Sequence, residues 1–413
     1  MAKIKIKIQI IINLIITLIP YIICDINIHI IPHTHLDPGW LKTPEDYYQT
    51  ERVYNIFDTI LSELSNSKEK TFVINEIYYF KIWYSDINEE KKLKLKELIK
   101  QKRIEFVSGS FTINDEANPL YYNIIDQIRI GHQFLLEEFG IIPKTAWYID
   151  SFGHSAGNGH ILTQLKFKYL VLGRMHIDFL ELMKNETKIE FYWKPFGNQN
   201  SNKKILTHVL PLHYGFTQYM DFLGKNNELF RASLKHNIYS FINNIKEAMR
   251  GLRHNNIMFL YGDDFHFQDN KLFANIDSLI NSFDKYNIDT YRNIKAQFRT
   301  NGNVNIFYST PEKYFNAVKK ELKAKNRKLG TYSNIDFYPL RTDCFWTGYF
   351  TSRPYLKGYI RKGSNIFYSL SKYFSYDRLI YENIDENIIK NLNKFRSVVG
   401  LTQHHDAITG TST

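Results

Sequence analysis

The sequence predicts an α/β fold built on a parallel sheet with crossover helices, either open or closed into a barrel. Short apolar runs alternate with segments of helical period, and 44% of the 413 residues are hydrophobic against 23% charged. This length and composition suit one large globular domain and the start of a second. Strand–helix alternation favours parallel strands, because each connection has to cross back over the sheet.

Seven apolar runs have the length and composition of strands. In order they are Ile26–Ile31, Phe72–Asn75, Ile104–Val107, Thr145–Ile149, Tyr169–Leu172, Ile257–Tyr261 and Val304–Tyr308. Between the third and fourth runs, apolar residues from Tyr121 to Phe139 recur with a helical period, and Gly140 is a typical helix stop. Thr310 followed by Pro311 predicts the start of another helix.

The pattern changes after about residue 330. Apolar spacing predicts one long helix from about residue 353 and another over Ile388–Val399, which we interpret as part of a helical bundle. We therefore expect an α/β domain over residues 25–330 and a partial, truncated helical-bundle domain over residues 331–413.

Residues 1–24 have the features of a secretory signal peptide. Lys3, Lys5 and Lys7 precede an uncharged, isoleucine-rich run over residues 8–24. A signal anchor is the alternative, but this run is shorter than the roughly 20 residues that span a bilayer. We expect cleavage and no stable membrane span afterwards.

The net charge of +11 does not indicate a nucleic-acid partner. The lysines are scattered along the chain, and the densest basic cluster, residues 319–328, has the pattern of a solvated helix end and its exit loop. We therefore expect no nucleic acid among the partners.

The first strand runs into a motif that suits a metal ion. Side chains at alternate positions of an extended segment point the same way, so His33, His35 and Asp37 share a face. Imidazole and carboxylate together suit Zn²⁺, although the same pattern also occurs in structural roles. The Pro38-Gly39 turn that follows presents Trp40 beside this face.

Three other segments place chemically active residues after apolar elements. Asp150 ends the fourth strand, with a helix N-cap as the alternative role. Asp263 and Asp264 follow the sixth strand; adjacent carboxylates repel each other and can raise one pKa, although solvated loop acids are the alternative. His404 and His405 follow an apolar helix, where a capping role is the alternative.

The ends of parallel strands gather at one mouth, so Asp37, Asp150 and Asp264 are expected to face each other there. Metal ligands and two carboxylates in one place predict a metal-dependent hydrolase.

These four segments resemble glycoside hydrolase family 38, the zinc-dependent class II α-mannosidases, and in particular its lysosomal branch. The resemblance extends from about residue 28 to residue 413 and includes residues 114–117, 308–311 and 345–354. It implies a seven-stranded parallel (β/α)7-type barrel, followed by the start of an α-helical bundle, with the family's C-terminal β domains absent from this chain.

The resemblance also implies roles for individual residues. The implied zinc ligands are His35, Asp37, Asp150 and His405. Asp150 would also be the nucleophile, and Asp264 the general acid/base. The implied substrate-binding residues are Trp40, Phe152, Arg174, Asp263 and Asp406, and Tyr214 is a weaker candidate for the family's active-site tyrosine.

The implied activity is retaining hydrolysis of terminal α-D-mannose residues of N-glycan oligosaccharides, with Zn²⁺ as the cofactor. The implied location is the secretory pathway, ending in a lysosome or vacuole or outside the cell. Two alternatives are a Golgi-type processing mannosidase and an inactive fragment that binds zinc or mannose.

Overall fold

The computed structural model describes residues 25–50, 53–197, 203–215, 228–285, 302–341, 343–380 and 385–413. The signal peptide predicted over residues 1–24 lies outside them. Within these ranges, no helix is long and apolar enough to cross a membrane.

All seven predicted strands are present, each within one residue of its predicted bounds at either end. The described strands are β1 (Ile26–Pro32), β2 (Phe72–Ile74), β3 (Ile104–Phe106), β4 (Thr145–Tyr148), β5 (Tyr169–Leu172), β6 (Glu190–Lys194), β7 (Ile205–Val209), β8 (Asn256–Tyr261), β9 (Val304–Tyr308), β10 (Gly330–Ser333), β11 (Leu340–Arg341) and β12 (Cys344–Phe345).

The predicted helices are present as well. The described helices are α1 (Pro44–Gln49), α2 (Val53–Asn66), α3 (Ile77–Asp86), α4 (Glu89–Lys100), α5 (Tyr121–Phe139), α6 (Ala156–Gln164), α7 (Ile177–Asn185), α8 (Glu228–Arg250), α9 (Lys271–Lys285), α10 (Pro311–Ala324), α11 (Pro354–Ile380) and α12 (Glu386–Leu401). Helix α5 ends at Gly140 with φ of 67°, a left-handed conformation that glycine adopts without strain.

The strands pair mainly in parallel, as predicted. β1 lies between β8 and β9, β2 pairs with β3, and a five-stranded sheet has the order β10-β6-β7-β5-β4. Just beyond β1, His33 forms a parallel bridge with Val73 of β2. The described strands form separate sheets rather than one closed ring of pairs, so the seven-stranded barrel remains a prediction.

Alternate residues of the strands face a shared interior. Ile28 and Ile30 of β1 pack in the larger core that includes the surrounding helices, whereas Ile31 packs in a second core. The same second core receives side chains from or next to β2, β3, β4, β5, β7 and β8, namely Val73, Val107, Trp147, Ile149, Val171, Leu206, Met258 and Leu260. A strand that is buried on both faces needs apolar side chains at successive positions. This is why such strands appear in the sequence as continuous apolar runs.

Strands β6 and β7 were missed by the sequence analysis. β6 begins with Glu190 and ends with Lys194, so it is not a continuous apolar run, and it pairs antiparallel with β7. Glu190 is nevertheless buried.

Glu190 is stabilised in the interior by two histidines and a tyrosine. Its carboxylate lies 3.0 Å from Nδ1 of His208 and 2.5 Å from Nε2 of His254, and it accepts a hydrogen bond of 2.6 Å from the Tyr314 hydroxyl. Burial alone would raise the pKa of Glu190, but the two imidazoles outweigh it and hold that pKa well below its usual range. Burial lowers the pKa of His254, and Glu190 outweighs it, so that pKa is raised. This cluster ties β6 to β7, to the start of β8 and to α10.

We predict that replacing Glu190 with Gln removes a pH dependence of stability. Because the pKa of His254 is higher in the folded chain, its stabilising contribution is complete below its unfolded pKa of about 6.5 and is lost as the pH rises through the folded pKa. The unfolding free energy of the unaltered chain should therefore fall above pH 6.5 by up to about 1.4 kcal/mol per pH unit from this group. Denaturant unfolding between pH 6 and 9 should show a smaller decline in Glu190→Gln.

Glu105→Gln is the matched control, since this carboxylate bonds to Thr145 and to the backbone N–H of Glu312 rather than to an imidazole. It should keep the decline of the unaltered chain. An equal decline in all three proteins would contradict the assignment.

Candidate active site

The ends of β1, β4 and β8 place three acidic residues at one mouth, as predicted. Beyond β1 the chain stays extended: His33 bridges to Val73, and His35 bridges to Asp264, which follows β8. This extended course directs both His35 and Asp37 toward Asp150 at the end of β4, and all three side chains are buried.

The four residues implied as metal ligands converge. Nε2 of His35 lies 2.8 Å from Oδ1 of Asp37 and 3.7 Å from Oδ2 of Asp150. Nε2 of His405 lies 3.3 Å from each of the same two oxygens. Two imidazole nitrogens and two carboxylate oxygens thus face a common point.

This donor set fits a zinc ion. Zinc binds histidine nitrogen and carboxylate oxygen at 2.0–2.2 Å in a tetrahedron, which places neighbouring ligand atoms about 3.3 Å apart. Nε2 of His35, Oδ1 of Asp37 and Nε2 of His405 are buried and make no hydrogen bond. Buried polar atoms without a partner are costly, and a bound cation would satisfy all three together.

The charges around the two imidazoles favour a cation. Burial lowers the pKa of His35, but Asp37, Glu76 and Asp150 outweigh it and raise that pKa to about 10. The pKa of His405 is likewise raised against the effect of burial, by Asp150, Asp37 and Asp406. The electrostatic potential at the site is therefore strongly negative.

His405 reaches the site because the turn after α12 pairs with the segment that follows β3. The backbone N–H of His405 donates to the carbonyl of Ile113 at 3.1 Å, and Nδ1 of its ring lies 3.1 Å from the same oxygen. A carbonyl only accepts, so Nδ1 carries a hydrogen, which leaves Nε2 as the nitrogen that would bind a metal ion. Oε1 of Glu76, just before α3, lies 3.6 Å from Nδ1 of His35, beyond hydrogen-bond length, and acts on that imidazole through its charge.

Arg174 holds Asp150 in its ionised form. Its Nε donates to Oδ1 of Asp150 at 2.6 Å, and Nη2 makes a second contact with that oxygen. Burial alone would raise the pKa of Asp150, but His405 and Arg174 outweigh it and lower that pKa to about 2. The residue before Arg174 has to be a glycine for the chain to lie this close to the end of β4. A Cβ at Gly173 would lie 1.8 Å from the carbonyl oxygen of Ile149.

Asp264 has the opposite environment. Burial raises its pKa to about 6, helped by Asp37 and Asp150 and opposed by His35 and Tyr214. The Tyr214 hydroxyl donates to its Oδ1 at 2.9 Å. Two carboxyl groups with pKa values pushed apart are suited to the roles of nucleophile and proton donor.

A cavity of about 390 Å³ opens onto these groups. The residues around it are Asp37, Trp40, Asp150, Phe152, Arg174, Tyr214, Asp264, Trp346, Tyr349, Asp406 and Thr411. Most of the residues implied for substrate binding are therefore gathered here. Asp263 is not among them, and its Oδ1 accepts a hydrogen bond from the backbone N–H of Asp264.

The sequence analysis did not single out several residues that the structure places at the site. The Trp346 ring lies 4.9 Å from the guanidinium carbon of Arg174, and the Phe152 ring lies 5.8 Å from the same carbon. The aromatic-rich stretch 345–350 was the available signal for Trp346 and Tyr349. Nothing in the sequence marked Glu76 as a neighbour of His35.

A larger cavity of about 800 Å³ lies elsewhere, beside α4, β3 and the start of α10. Lysines such as Lys100 and Lys313 and apolar side chains line much of it, and it contains none of the residues that converge on Asp150. We place the chemistry in the smaller cavity, where carboxylates and metal-binding side chains meet.

Comparison with protein families gives two adjoining matches. Residues 25–335 match the model "Glycosyl hydrolases family 38 N-terminal domain", and residues 344–413 match "Alpha mannosidase middle domain".

Individual relatives agree with these matches. The chain is 32% identical over 404 residues to lysosomal alpha-mannosidase of Dictyostelium discoideum, covering 94% of this chain and 38% of that protein. It is 29% identical over 420 residues to alpha-mannosidase of Canavalia ensiformis, covering 94% of this chain and 39% of that protein. The chain thus spans about two fifths of the length of these relatives.

Solved structures resemble the fold. An alpha-mannosidase from Enterococcus faecalis aligns with a TM-score of 0.64 at 16% identity, over 93% of this chain and 39% of that one.

We predict that the chain binds one zinc ion and that Asp150→Ala loses it, because Asp150 supplies one of the four converging atoms. Asp264→Asn should retain zinc, since the amide keeps the shape of a side chain outside the four converging groups. Metal analysis after dialysis, at matched folding by circular dichroism, measures both. Equal loss of zinc from the two variants would contradict this division of roles.

Proposed function

The chain belongs to glycoside hydrolase family 38, and from that premise we propose that it is a zinc-dependent retaining α-mannosidase acting on terminal α-D-mannose residues of N-glycan oligosaccharides. The observation that carries the proposal is the arrangement of Asp150 and Asp264 around one cavity: an ionised carboxylate held by Arg174 beside a carboxyl group whose pKa is raised to about 6.

Retaining hydrolysis requires a nucleophile and a proton donor about 5–5.5 Å apart on opposite sides of the scissile bond. Asp150 attacks the anomeric carbon, and Asp264 gives its proton to the leaving oxygen. In the second step Asp264 accepts a proton from water, which displaces Asp150 and releases mannose with its configuration retained.

His35, Asp37, Asp150 and His405 would hold the zinc ion. Bound there, the ion would supply Lewis acidity toward sugar hydroxyls. The chain's own contribution is to fix the direction of Asp150 through Arg174 and to shield the cluster from water by burial.

The cavity walls suit a sugar ring. Trp40 and Phe152 provide apolar faces, and Asp406 provides an acceptor for hydroxyl groups. Oδ1 of Asp406 is held by the hydroxyl of Thr411, which leaves Oδ2 for other partners. We propose that these residues select mannose by stacking and by hydrogen bonding to its hydroxyls.

We propose a lysosomal-type role in glycoprotein catabolism, within the secretory pathway. The support is the match to a relative called lysosomal alpha-mannosidase, which covers 94% of this chain.

The test is hydrolysis of an aryl α-mannoside by the chain, from acidic to neutral pH, with and without a chelator. Turnover that disappears on chelation and returns with zinc is the expected result. A folded, zinc-loaded chain that leaves the substrate intact would contradict the proposed activity of this chain.

We predict that the first mannose released is the α-anomer, because Asp150 forms the intermediate and water then attacks from the opposite face. Proton NMR of the anomeric signals during early turnover measures this before mutarotation. Initial release of the β-anomer would require a single displacement by water and would exclude Asp150 as the nucleophile.

A further inference from the structure

One short motif in the sequence has no part in the chemistry of the cavity. Asn185, Glu186 and Thr187 form the pattern Asn-x-Ser/Thr with a residue other than proline in the middle, and this pattern occurs once among the 413 residues. It marks an asparagine that can receive an N-linked glycan when a chain enters the secretory pathway. Because a glycan is bulky and polar, the folded chain can carry one only where the asparagine lies at the surface.

The motif lies in the turn between α7 and β6. Asn185 is the last residue of α7, and both Asn185 and Glu186 are exposed. Thr187 is half-buried, and the chain enters the interior two residues later at Ile189. The residues around the sugar cavity include none from this turn. A group attached to Asn185 would therefore lie outside the proposed sugar site.

The folded chain leaves the correct atom of Asn185 for this modification. Oδ1 of Asn185 accepts a hydrogen bond of 2.8 Å from Nη2 of Arg250. Since a guanidinium only donates, the amide oxygen has to face it, and the amide nitrogen Nδ2 lies on the other side of the amide group. An N-linked glycan is joined to Nδ2, so its attachment would keep the hydrogen bond between Oδ1 and Arg250.

Arg250 is held by two acidic side chains, and this fixes the direction of the Asn185 amide. Nη1 of Arg250 donates to both carboxylate oxygens of Glu247 at 2.9 Å, and Nη2 lies 3.3 Å from Oε2 of Glu181. The oxygen of the exposed Asn185 side chain thus faces a fixed group of the protein. Its nitrogen is directed away from that group, where a glycan has room.

The hydroxyl of Thr187 is the part of the motif that the folded chain uses itself. Oγ1 of Thr187 accepts a hydrogen bond of 3.3 Å from Nε of Arg253, and the backbone carbonyl of Thr187 accepts one of 3.2 Å from the same nitrogen. Recognition of the motif requires this hydroxyl. The modification is therefore expected before the turn closes, as the chain enters the compartment.

We propose that Asn185 carries the single N-linked glycan of this chain. The donor is an oligosaccharide joined to a polyprenyl diphosphate. Nδ2 of Asn185 forms a bond to the anomeric carbon of the first sugar, the bond from that carbon to the diphosphate oxygen breaks with its electron pair, and Nδ2 releases one proton to a base of the transferase. The inference rests on the proposed secretory location and does not depend on hydrolysis of mannosides.

The test is expression of the full chain, with its own N-terminal segment, in a eukaryotic secretory host. A peptide N-glycosidase should move the secreted chain downward on a gel by one step. The enzyme leaves an aspartate where the glycosylated asparagine was, and mass spectrometry of the peptide that contains residues 185–187 should show this conversion. Asn185→Gln and Thr187→Val should lose the step, whereas Thr187→Ser, which keeps the hydroxyl, should retain it.

Asn393→Gln is the matched control. Asn393 is also exposed, and its Oδ1 accepts a hydrogen bond of 3.2 Å from Nη1 of Arg396, but the residue two positions later is Phe395 rather than serine or threonine. This variant should keep the step of the unaltered chain.

A secreted chain in which residues 185–187 stay entirely unmodified would overturn the proposal. Retention of the chain in the cytosol would overturn it as well, because the route on which it rests would be absent. Asn185→Gln should retain zinc and turnover of the aryl α-mannoside, since Asn185 lies outside the cavity. Failure of the modification and failure of the proposed activity are therefore measured separately.

Discussion

The structure depends on holding two buried carboxylates, Asp37 and Asp150, against the same two imidazole nitrogens. An isolated ionised carboxylate in a protein interior is strongly unfavourable, so such groups must be paired or bound to a cation. His35 and His405 pair with both carboxylates, and Arg174 pairs with Asp150 from the cavity side. The ends of β1, β4 and β5 are fixed relative to one another by these contacts.

The same constraint joins the two parts of the chain that match different domains. His405 belongs to the matched middle domain, yet its ligand atom meets Asp37 and Asp150 of the matched N-terminal domain. The backbone pairing of residues 403–405 with residues 113–115 makes this possible. Docking of α11 and α12 therefore contributes directly to the site as well as to packing.

The sequence analysis succeeded where a short local pattern determines the outcome. Predicted strands such as β4, β5 and β8 are buried on both faces and appear as apolar runs. Gly140 and Thr310-Pro311 were correctly predicted to end one helix and begin another. The sequence analysis failed at β6 and β7, because a buried Glu190 needs His208, His254 and Tyr314 from distant segments, and no local pattern reveals them.

At the site, too, residues in local motifs were predicted and residues that depend on distant neighbours were not. Residues within motifs, such as Asp37 and Asp150, were predicted and meet in space. Glu76 and Trp346 were not predicted, because each reaches the site through a neighbour distant in sequence, His35 and Arg174 respectively. The choice of His405 over His404 came from resemblance alone. The structure adds a physical reason, because Nε2 of His405 faces both Asp37 and Asp150, whereas Nε2 of His404 faces Asp37 and Asp406.

The central claim is that one zinc ion is held by two imidazoles and two carboxylates. X-ray absorption at the zinc edge of the zinc-loaded chain tests this claim most directly. The account predicts nitrogen and oxygen ligands at about 2.0–2.2 Å, with the multiple-scattering signal of two imidazole rings. A sulfur ligand at about 2.3 Å, or the signal of a single imidazole, would contradict it.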